Sequence, residues 1–151
     1  MNDALISFLE IDAPSQRLAR LIWPVAEQRA LVVTGRFYQA VRTVMPNSPT
    51  TEQIEQLRSG HCRRWQRLFD SKFDQEYFSS ASLMGIRHCE MGLDCKWHVA
   101  CYAKLSAELS AEILDGPLPG HSKPNMVATL GKYLALDMAV SLSSYTSIWI
   151  D

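Results

Sequence analysis

The sequence predicts an all-α fold in a single domain, and three observations lead to that prediction. Apolar side chains recur at the three-to-four residue spacing of helices through almost the whole chain. Only seven glycines and seven prolines punctuate the 151 residues, fewer than the many turns of a β-sandwich need. Hydrophobic residues make up 47% and charged residues 21% of the chain, a balance typical of a soluble globular domain and not of a disordered one.

The first part of the chain predicts two consecutive helical segments. Asp12 is suited to cap a helix and Pro14 to occupy its first turn. The segment is expected to continue to about Trp23, where Pro24 should kink or end it because proline lacks the backbone N–H. The next segment should reach Met45, before two further prolines force a break. Its inward face is predicted to contain Leu31, Thr34, Tyr38, Val41 and Met45.

The middle of the chain predicts two more helices, each with an apolar stripe that includes one histidine. Thr50 and Gln53 have the spacing of a capping box at the start of the first of them. Residues 70–74 should separate the two helices, and Gly92 should end the second. The two stripes consist of Ile54, Leu57, His61, Trp65 and Leu68, and of Tyr77, Ala81, Met84, His88 and Met91.

The last part of the chain predicts two long helices joined by one real loop at residues 115–124. Asp94 is suited to cap the first, and the stripe of the second continues to Tyr145 and Trp149. The two predicted apolar faces are Trp97, Cys101, Leu105, Leu109 and Ile113, and Val127, Leu130, Leu134, Met138, Leu142, Tyr145 and Trp149. Altogether six or seven helices and no convincing strand are expected.

Charge and hydropathy exclude several function classes. The net charge of -1 offers no electrostatic basis for binding nucleic acid or an anionic membrane surface. The apolar stretches are too interrupted by charge to span a membrane, and the N-terminus lacks the basic region of a secretory signal. We therefore expect a cytoplasmic protein without nucleic-acid or membrane partners.

The four cysteines indicate packing more than chemistry. No CxxC pair is present, so the patterns of structural zinc, thioredoxin-type redox and covalent c-type haem sites are all missing. Cys62 follows His61 and Cys89 follows His88, but neighbours on a helix point about 100° apart and do not form a nucleophile–base pair. We expect reduced, mostly buried thiols and no enzymatic activity in this domain.

His61 and His88 lie within apolar stripes on consecutive helices, which is an uncommon place for two imidazoles. A buried imidazole needs a hydrogen-bond partner or a metal. A slot between helices lined with methionines and aromatic residues is also the environment that a haem needs. From spacing alone, satisfied core histidines and haem ligands both stay open.

Several segments together resemble the globin-coupled sensor family. They are Phe37-Tyr38, Trp65–Phe69, Phe73–Tyr77, the run from Gly85-Ile-Arg-His88 to Gly92-Leu93, and Lys96-Trp97. The resemblance extends from Asp12 through the last helix. It implies a globin-like helical sandwich around a haem pocket, with an extra N-terminal helix. It also implies a non-covalent haem b and a regulatory role.

The resemblance also implies roles for individual residues. His88 matches the proximal haem ligand, and Tyr38 matches a distal tyrosine whose hydroxyl donates to bound O2. His61 departs from the usual small or apolar residue and would ligate the iron from the other face in a bis-histidyl haem; a distal hydrogen-bond donor or a ring turned out of the pocket are the alternatives. His98 is a second departure, which we expect to face solvent. The predicted haem-binding set is Tyr38, Leu57, His61, Met84, His88, Leu93, Trp97 and His98.

The family couples such globins to output domains, for example diguanylate cyclases or histidine kinases. No such motif occurs in residues 1–151, so the chain is expected to be a single sensor-globin domain cut from a longer signalling protein. O2, CO and NO are the expected gases. A homodimer is expected through Lys96–Leu114 and Pro124–Ile150, with Tyr145, Ile148 and Trp149 exposed at the end. The alternatives are a haem-free interaction module and a stand-alone haem protein with redox activity.

Overall fold

The computed structural model describes the backbone of residues 2–150 and the side chains of residues 2–145. Within that part of the chain every regular element is helical, as the sequence predicted. A short 3₁₀ turn, Gly120–Ser122, lies in the predicted loop. The six α-helices are α1 (Asp3–Phe8), α2 (Ala13–Val41), α3 (Thr51–Phe69), α4 (Gln75–Glu90), α5 (Cys95–Asp115) and α6 (Lys123–Ile150).

The prediction that a helix ends or kinks near Pro24 is wrong in its boundary, because α2 continues through Pro24 to Val41. Pro24 lies on the exposed side of the helix, where water can solvate the carbonyl that loses its partner. Ile22, Trp23 and Ala26 beside it are buried in the core. Their burial offsets the cost of the missing hydrogen bond, and a single 29-residue helix results.

The segment expected to reach Met45 ends earlier, at Val41, and the predicted caps and the stop at Gly92 are confirmed. The Asp12 carboxylate accepts a hydrogen bond from the Ser15 backbone N–H, and Asp94 accepts one from that of Lys96, each at 2.9 Å. Thr50 and Gln53 exchange both bonds of the capping box. Gly92 follows α4 with a φ of 77°, a left-handed conformation that favours glycine.

Helix α6 is the centre of the packing and lies against α2, α3, α4 and α5. The buried apolar residues form two clusters. The larger one joins α2 to the other long helices around Trp23, Phe69 and Leu105. The smaller one surrounds Tyr38, between the C-terminal half of α2 and the facing sides of α3 and α4. Because α3 and α4 pack only sparsely on each other, space remains between them.

Gly85 sets the closest approach between α4 and α6. A Cβ atom at this position would lie 2.0 Å from the Ser141 backbone oxygen, so any side chain would push the two helices apart. His88 follows one turn later on α4 and thereby comes close to the residues of α6. The glycine of the Gly85–His88 motif is therefore required by backbone contact.

The sequence predicted the solvent exposure of the end of the last helix and the burial of the cysteines, and the structure corrects part of both predictions. Tyr145 is buried and its ring lies 5.7 Å from that of His98, so its predicted exposure is wrong. The side chains of Ile148 and Trp149 lie outside the part of the chain that is described. None of the four free cysteines is fully buried, and Cys95 is exposed, because it begins α5 on the outer side.

Hydropathy along the helices agrees with the expectation of no membrane span. In the described part of the chain, every helix is too short or too polar to cross a bilayer.

Candidate functional site

Three helices bring Tyr38, His61 and His88 into direct contact. The Tyr38 hydroxyl on α2 lies 2.8 Å from Nε2 of His61 on α3 and 2.8 Å from Nε2 of His88 on α4. The two imidazole rings are stacked with centroids 5.8 Å apart. All three side chains are buried, with exposed fractions of 1%, 6% and 1%. The residues that the sequence singled out therefore form one cluster around a single hydroxyl.

His98 joins this cluster from α5, and the expectation that it faces solvent is wrong. Its side chain is 2% exposed, and its ring lies edge-on to that of His88 at 5.6 Å between centroids. Its Nε2 atom hydrogen-bonds to the Ser141 hydroxyl at 2.8 Å. His98 points inward because it shares a face of α5 with Tyr102 and Leu105, both buried. We call Tyr38, His61, His88 and His98 the histidine cluster.

Burial keeps all members of the histidine cluster uncharged. Desolvation lowers the pKa of His88 to about 3 and that of His98 to about 4. Desolvation, followed by the nearby charge of Arg64, lowers the pKa of His61 well below its usual range. Desolvation also raises the pKa of the Tyr38 phenol well above its ordinary value. The cluster therefore offers neutral imidazole lone pairs and a phenolic O–H near pH 7.

Apolar side chains form the walls around the histidine cluster. The buried ones are Val41, Met45, Leu57, Met84 and Leu93, and Phe37, Ile54, Met91 and Trp97 pack against them half-buried. The predicted set thus meets in one place: Leu57, Met84, Leu93 and Trp97 line the apolar wall, and the four polar members form its centre. Phe37 extends the wall towards His88, with ring centroids 6.5 Å apart.

Two open cavities lie along the sparse contact between α3 and α4. One of about 600 Å³ reaches Gly60 and Met84, and the other of about 650 Å³ reaches Leu57 and Met91. Arg87 of α4 borders both cavities. Each volume lies within the range of roughly 300–1,000 Å³ typical of cofactor pockets.

The residues of this region fit a haem. His88 presents Nε2 to the Tyr38 hydroxyl, while its buried Nδ1 has no hydrogen-bond partner. A neutral imidazole can ligate a metal through Nε2, and here that atom contacts only the Tyr38 hydroxyl. In the described part of the chain, no group of three or more His, Cys, Asp or Glu side chains could hold a metal ion unaided. An iron held by one or two imidazoles would need further ligands, which the four pyrrole nitrogens of haem provide.

Sequence reasoning missed a second buried cluster beside the histidines. The carboxylate of Asp137 on α6 accepts hydrogen bonds from Arg64 Nε at 3.0 Å, Trp65 Nε1 at 2.9 Å and the Tyr77 hydroxyl at 2.7 Å. The Tyr102 hydroxyl also donates to it. Arg64 Nη2 lies 2.9 Å from His61 Nδ1, so this cluster reaches the histidine cluster directly. We call Arg64, Trp65, Tyr77, Tyr102 and Asp137 the aspartate network.

Burial alone would raise the pKa of the Asp137 carboxyl. The charge of Arg64 and the hydrogen bonds from Arg64, Tyr102 and Tyr77 outweigh that effect and lower it. Asp137 therefore stays ionised although its side chain is 0% exposed.

Two features of the sequence indicate this network in retrospect. Asp137 is the one acidic residue in residues 123–150, and the other buried residues described in that helix are uncharged. Arg64 follows His61 by three residues on α3, which places both on one face of the helix. A lone acid and a lone arginine on buried helix faces must pair to remain charged.

A comparison with known protein families identifies the family of the chain. A family model described as Protoglobin matches residues 2–148. The chain belongs to the Protoglobin family. Protoglobin domains are globins that bind haem and diatomic gases, and the fold of this chain is globin-like. A search of curated proteins finds no match to the chain.

Proposed function

We propose that this Protoglobin domain is a haem-based gas and redox sensor in which His88 Nε2 is the proximal ligand of a non-covalent haem b. The observation that supports it most is a buried, neutral His88 whose Nε2 contacts only the Tyr38 hydroxyl, inside an apolar wall next to His61. When bound, haem supplies an iron that takes O2, CO or NO. The domain itself is proposed to bind gas and not to catalyse a reaction.

Tyr38 and His61 are proposed to act on the gas ligand. The Tyr38 hydroxyl keeps its proton because burial raises its pKa, so it can donate a hydrogen bond to the partly anionic ligand. His61 lies next to it and has two possible roles, a second hydrogen-bond donor or the second axial ligand of a bis-histidyl haem. The apolar wall of Leu57 and Met84 keeps water away from the same space.

The signal is proposed to leave through α5 and α6, which would also form the homodimer. Both clusters touch α6, through Asp137 and through Ser141, so a shift of α3 or α4 bears on that helix. An apolar groove of about 230 Å³ lies between α5 and α6, and Val99 at its edge is 45% exposed. We propose that a second copy covers it and that the pair regulates an output domain, such as a diguanylate cyclase, in a longer cytoplasmic protein.

Absorption spectra test the cofactor assignment. Protein purified with haem should give globin-like ferric and ferrous spectra that change on adding CO. The His88→Ala variant should lose most of its haem, or lose its proximal-histidine spectrum. The matched control is His121→Ala, an exposed histidine outside the cluster, which should behave as the parent. A colourless parent protein, or a His88→Ala variant with full haem and the same spectrum, would refute the assignment.

The dissociation rate of O2 tests the role of Tyr38. A hydrogen bond to a charged group contributes about 1.5–3 kcal/mol, so Tyr38→Phe should release O2 about 10 to 100 times faster. An unchanged rate would remove Tyr38 from the proposal. The dimer is tested separately by sedimentation, and a monomer at micromolar concentration would refute that part alone.

A further inference from the structure

The contact between Arg64 and His61 determines which ring nitrogen of His61 has the proton. Arg64 Nη2 lies 2.9 Å from His61 Nδ1. A guanidinium has five N–H donors and no acceptor, and it stays protonated in proteins. The hydrogen bond can therefore only run from Arg64 to His61. Nδ1 must be the acceptor, and a neutral His61 then has its proton on Nε2.

That proton sets the direction of the remaining bonds in the histidine cluster. His61 Nε2–H donates to the Tyr38 oxygen, and the Tyr38 O–H donates to His88 Nε2, both over 2.8 Å. Because a protonated His61 Nε2 has no lone pair, the Tyr38 O–H can donate to His88 Nε2 and not to His61. His88 thus presents a lone pair at Nε2, while His61 presents an N–H.

Arg64 cannot turn away from His61 at low cost. Its side chain is 1% exposed, and Asp137 accepts from its Nε at 3.0 Å and from its Nη2 at 3.1 Å. The carboxylate is held in turn by Trp65, Tyr77 and Tyr102. A charged pair buried in this way keeps a narrow geometry, because a rotation would leave a charge without a partner.

We propose that Arg64 is a positioning residue that keeps His61 as a hydrogen-bond donor to the gas ligand and prevents it from becoming the second axial ligand. Axial ligation would need the Nε2 lone pair, and so a proton on Nδ1. That N–H would point at the N–H of Arg64, and two donors would face each other. The proposal rests on the proposed haem site at His88, and it assigns His61 the donor role among those that the sequence left open.

Nitrogen-15 NMR tests the tautomer without relying on the coordination state. The full chain is labelled in its histidines and measured in the ferrous CO complex, where CO occupies the position opposite His88. His61 is identified as the resonance that His61→Ala removes. We expect its Nδ1 at the shift of an unprotonated nitrogen and its Nε2 at that of an N–H. A protonated Nδ1 would overturn the proposal.

Spectra of variants test the consequence for the iron. The parent is expected to be five-coordinate and high-spin in the ferrous state without gas. Arg64→Met combined with Asp137→Asn removes the donor without leaving a buried charge, so His61 should bind iron and give a low-spin spectrum. CO binding should then slow in proportion to the fraction of molecules in which His61 occupies the position, because His61 must leave before CO can bind. Adding His61→Ala should restore the high-spin spectrum, and Arg17→Met, an exposed arginine, should change nothing.

The outcomes separate this proposal from the haem assignment. A gas-free ferrous parent that is low-spin, and becomes high-spin in His61→Ala, would overturn the role of Arg64 and leave the haem site intact. A double variant that stays five-coordinate would overturn it as well. Failure of the haem site itself would appear in His88→Ala. If the double variant does not fold, the NMR result on the parent decides.

Discussion

The two buried polar clusters lie side by side but differ in their charge. In the aspartate network, an ionised carboxylate accepts bonds from four different side chains and is paired with a buried guanidinium. In the histidine cluster every group is neutral, a single hydroxyl bridges two rings, and His88 Nδ1 has no partner. Each cluster includes a buried nitrogen without a partner, Arg64 Nη1 and His88 Nδ1, so the charged pair and not the number of satisfied groups distinguishes them.

This difference in charge implies different roles: the aspartate network anchors the helices, and the histidine cluster binds a ligand. Breaking a buried charge pair is costly, so the aspartate network holds α3, α4, α5 and α6 in one arrangement. Neutral hydrogen bonds exchange for new partners at little net cost, so the histidine cluster can open for a cofactor. The two cavities between α3 and α4 reach its apolar wall at Leu57 and Met84, and none of its members needs a counter-charge. The contact between Arg64 and His61 is where the rigid cluster acts on the open one.

The largest effect on stability is expected when the aspartate network loses its carboxylate. Asp137→Ala leaves the Arg64 charge and three further donors without an acceptor, and should lower the free energy of unfolding by about 3–5 kcal/mol. Denaturant unfolding of the haem-free chain measures it. Lys104→Ala, which removes an exposed pair with Glu108, should change it by less than about 1 kcal/mol. Similar losses in both variants would show that the network is not an anchor.

Acid should destabilise the haem-free chain through the neutral histidines. The pKa of His98 falls from 6.5 in the unfolded chain to about 4 in the fold. Between these values the unfolded state binds the extra proton, so the stabilisation is present above pH 6.5 and is lost as the pH falls towards 4. His98→Asn should remove on the order of 3 kcal/mol of this pH dependence. An identical pH profile in the variant would contradict the burial of a neutral His98.

A smaller effect is expected at the residue that touches both clusters. The Ser141 hydroxyl donates to the Asp137 backbone oxygen at 2.8 Å and accepts from His98 Nε2 at 2.8 Å. Ser141→Ala leaves a buried imidazole N–H unpaired and should cost about 1–2 kcal/mol. Thermal unfolding next to Ser143→Ala, an exposed serine of the same helix, is the comparison. Equal midpoints for the two variants would exclude a structural role for the His98 bond.

The smallest effect on stability is expected at the bridging hydroxyl. Tyr38→Phe removes both contacts to the rings, but water from the neighbouring cavities can take its place. The haem-free chain should lose about 1 kcal/mol, comparable to Tyr133→Phe, which loses one bond to Ser71. A loss of more than about 3 kcal/mol would mean that Tyr38 belongs to a closed anchor, and the contrast between the two clusters would not hold.

The starts and stops of the helices could be predicted from the sequence because they depend on residues close together in the chain. Caps at Asp12, Thr50 and Asp94 and the stop at Gly92 depend on neighbours within a few residues, and all four agree with the structure. Pro24 was misread because the burial of Ile22 and Trp23 against other helices outweighs a local break. The inward direction of His98 likewise depends on Ser141, which lies 43 residues away.

The sequence by itself determined most of the helices, the family and the candidates Tyr38, His61 and His88, since periodicity and motif spacing are properties of the chain. Only the tertiary structure decided that one hydroxyl joins His61 to His88, that His98 is buried, and that Arg64 faces His61 Nδ1 while bound to Asp137. The physical reason is that the direction of a hydrogen bond depends on which donors the packing brings within about 3 Å of each acceptor. Such distances depend on how the helices pack, and they cannot be calculated from the separation of residues along the chain.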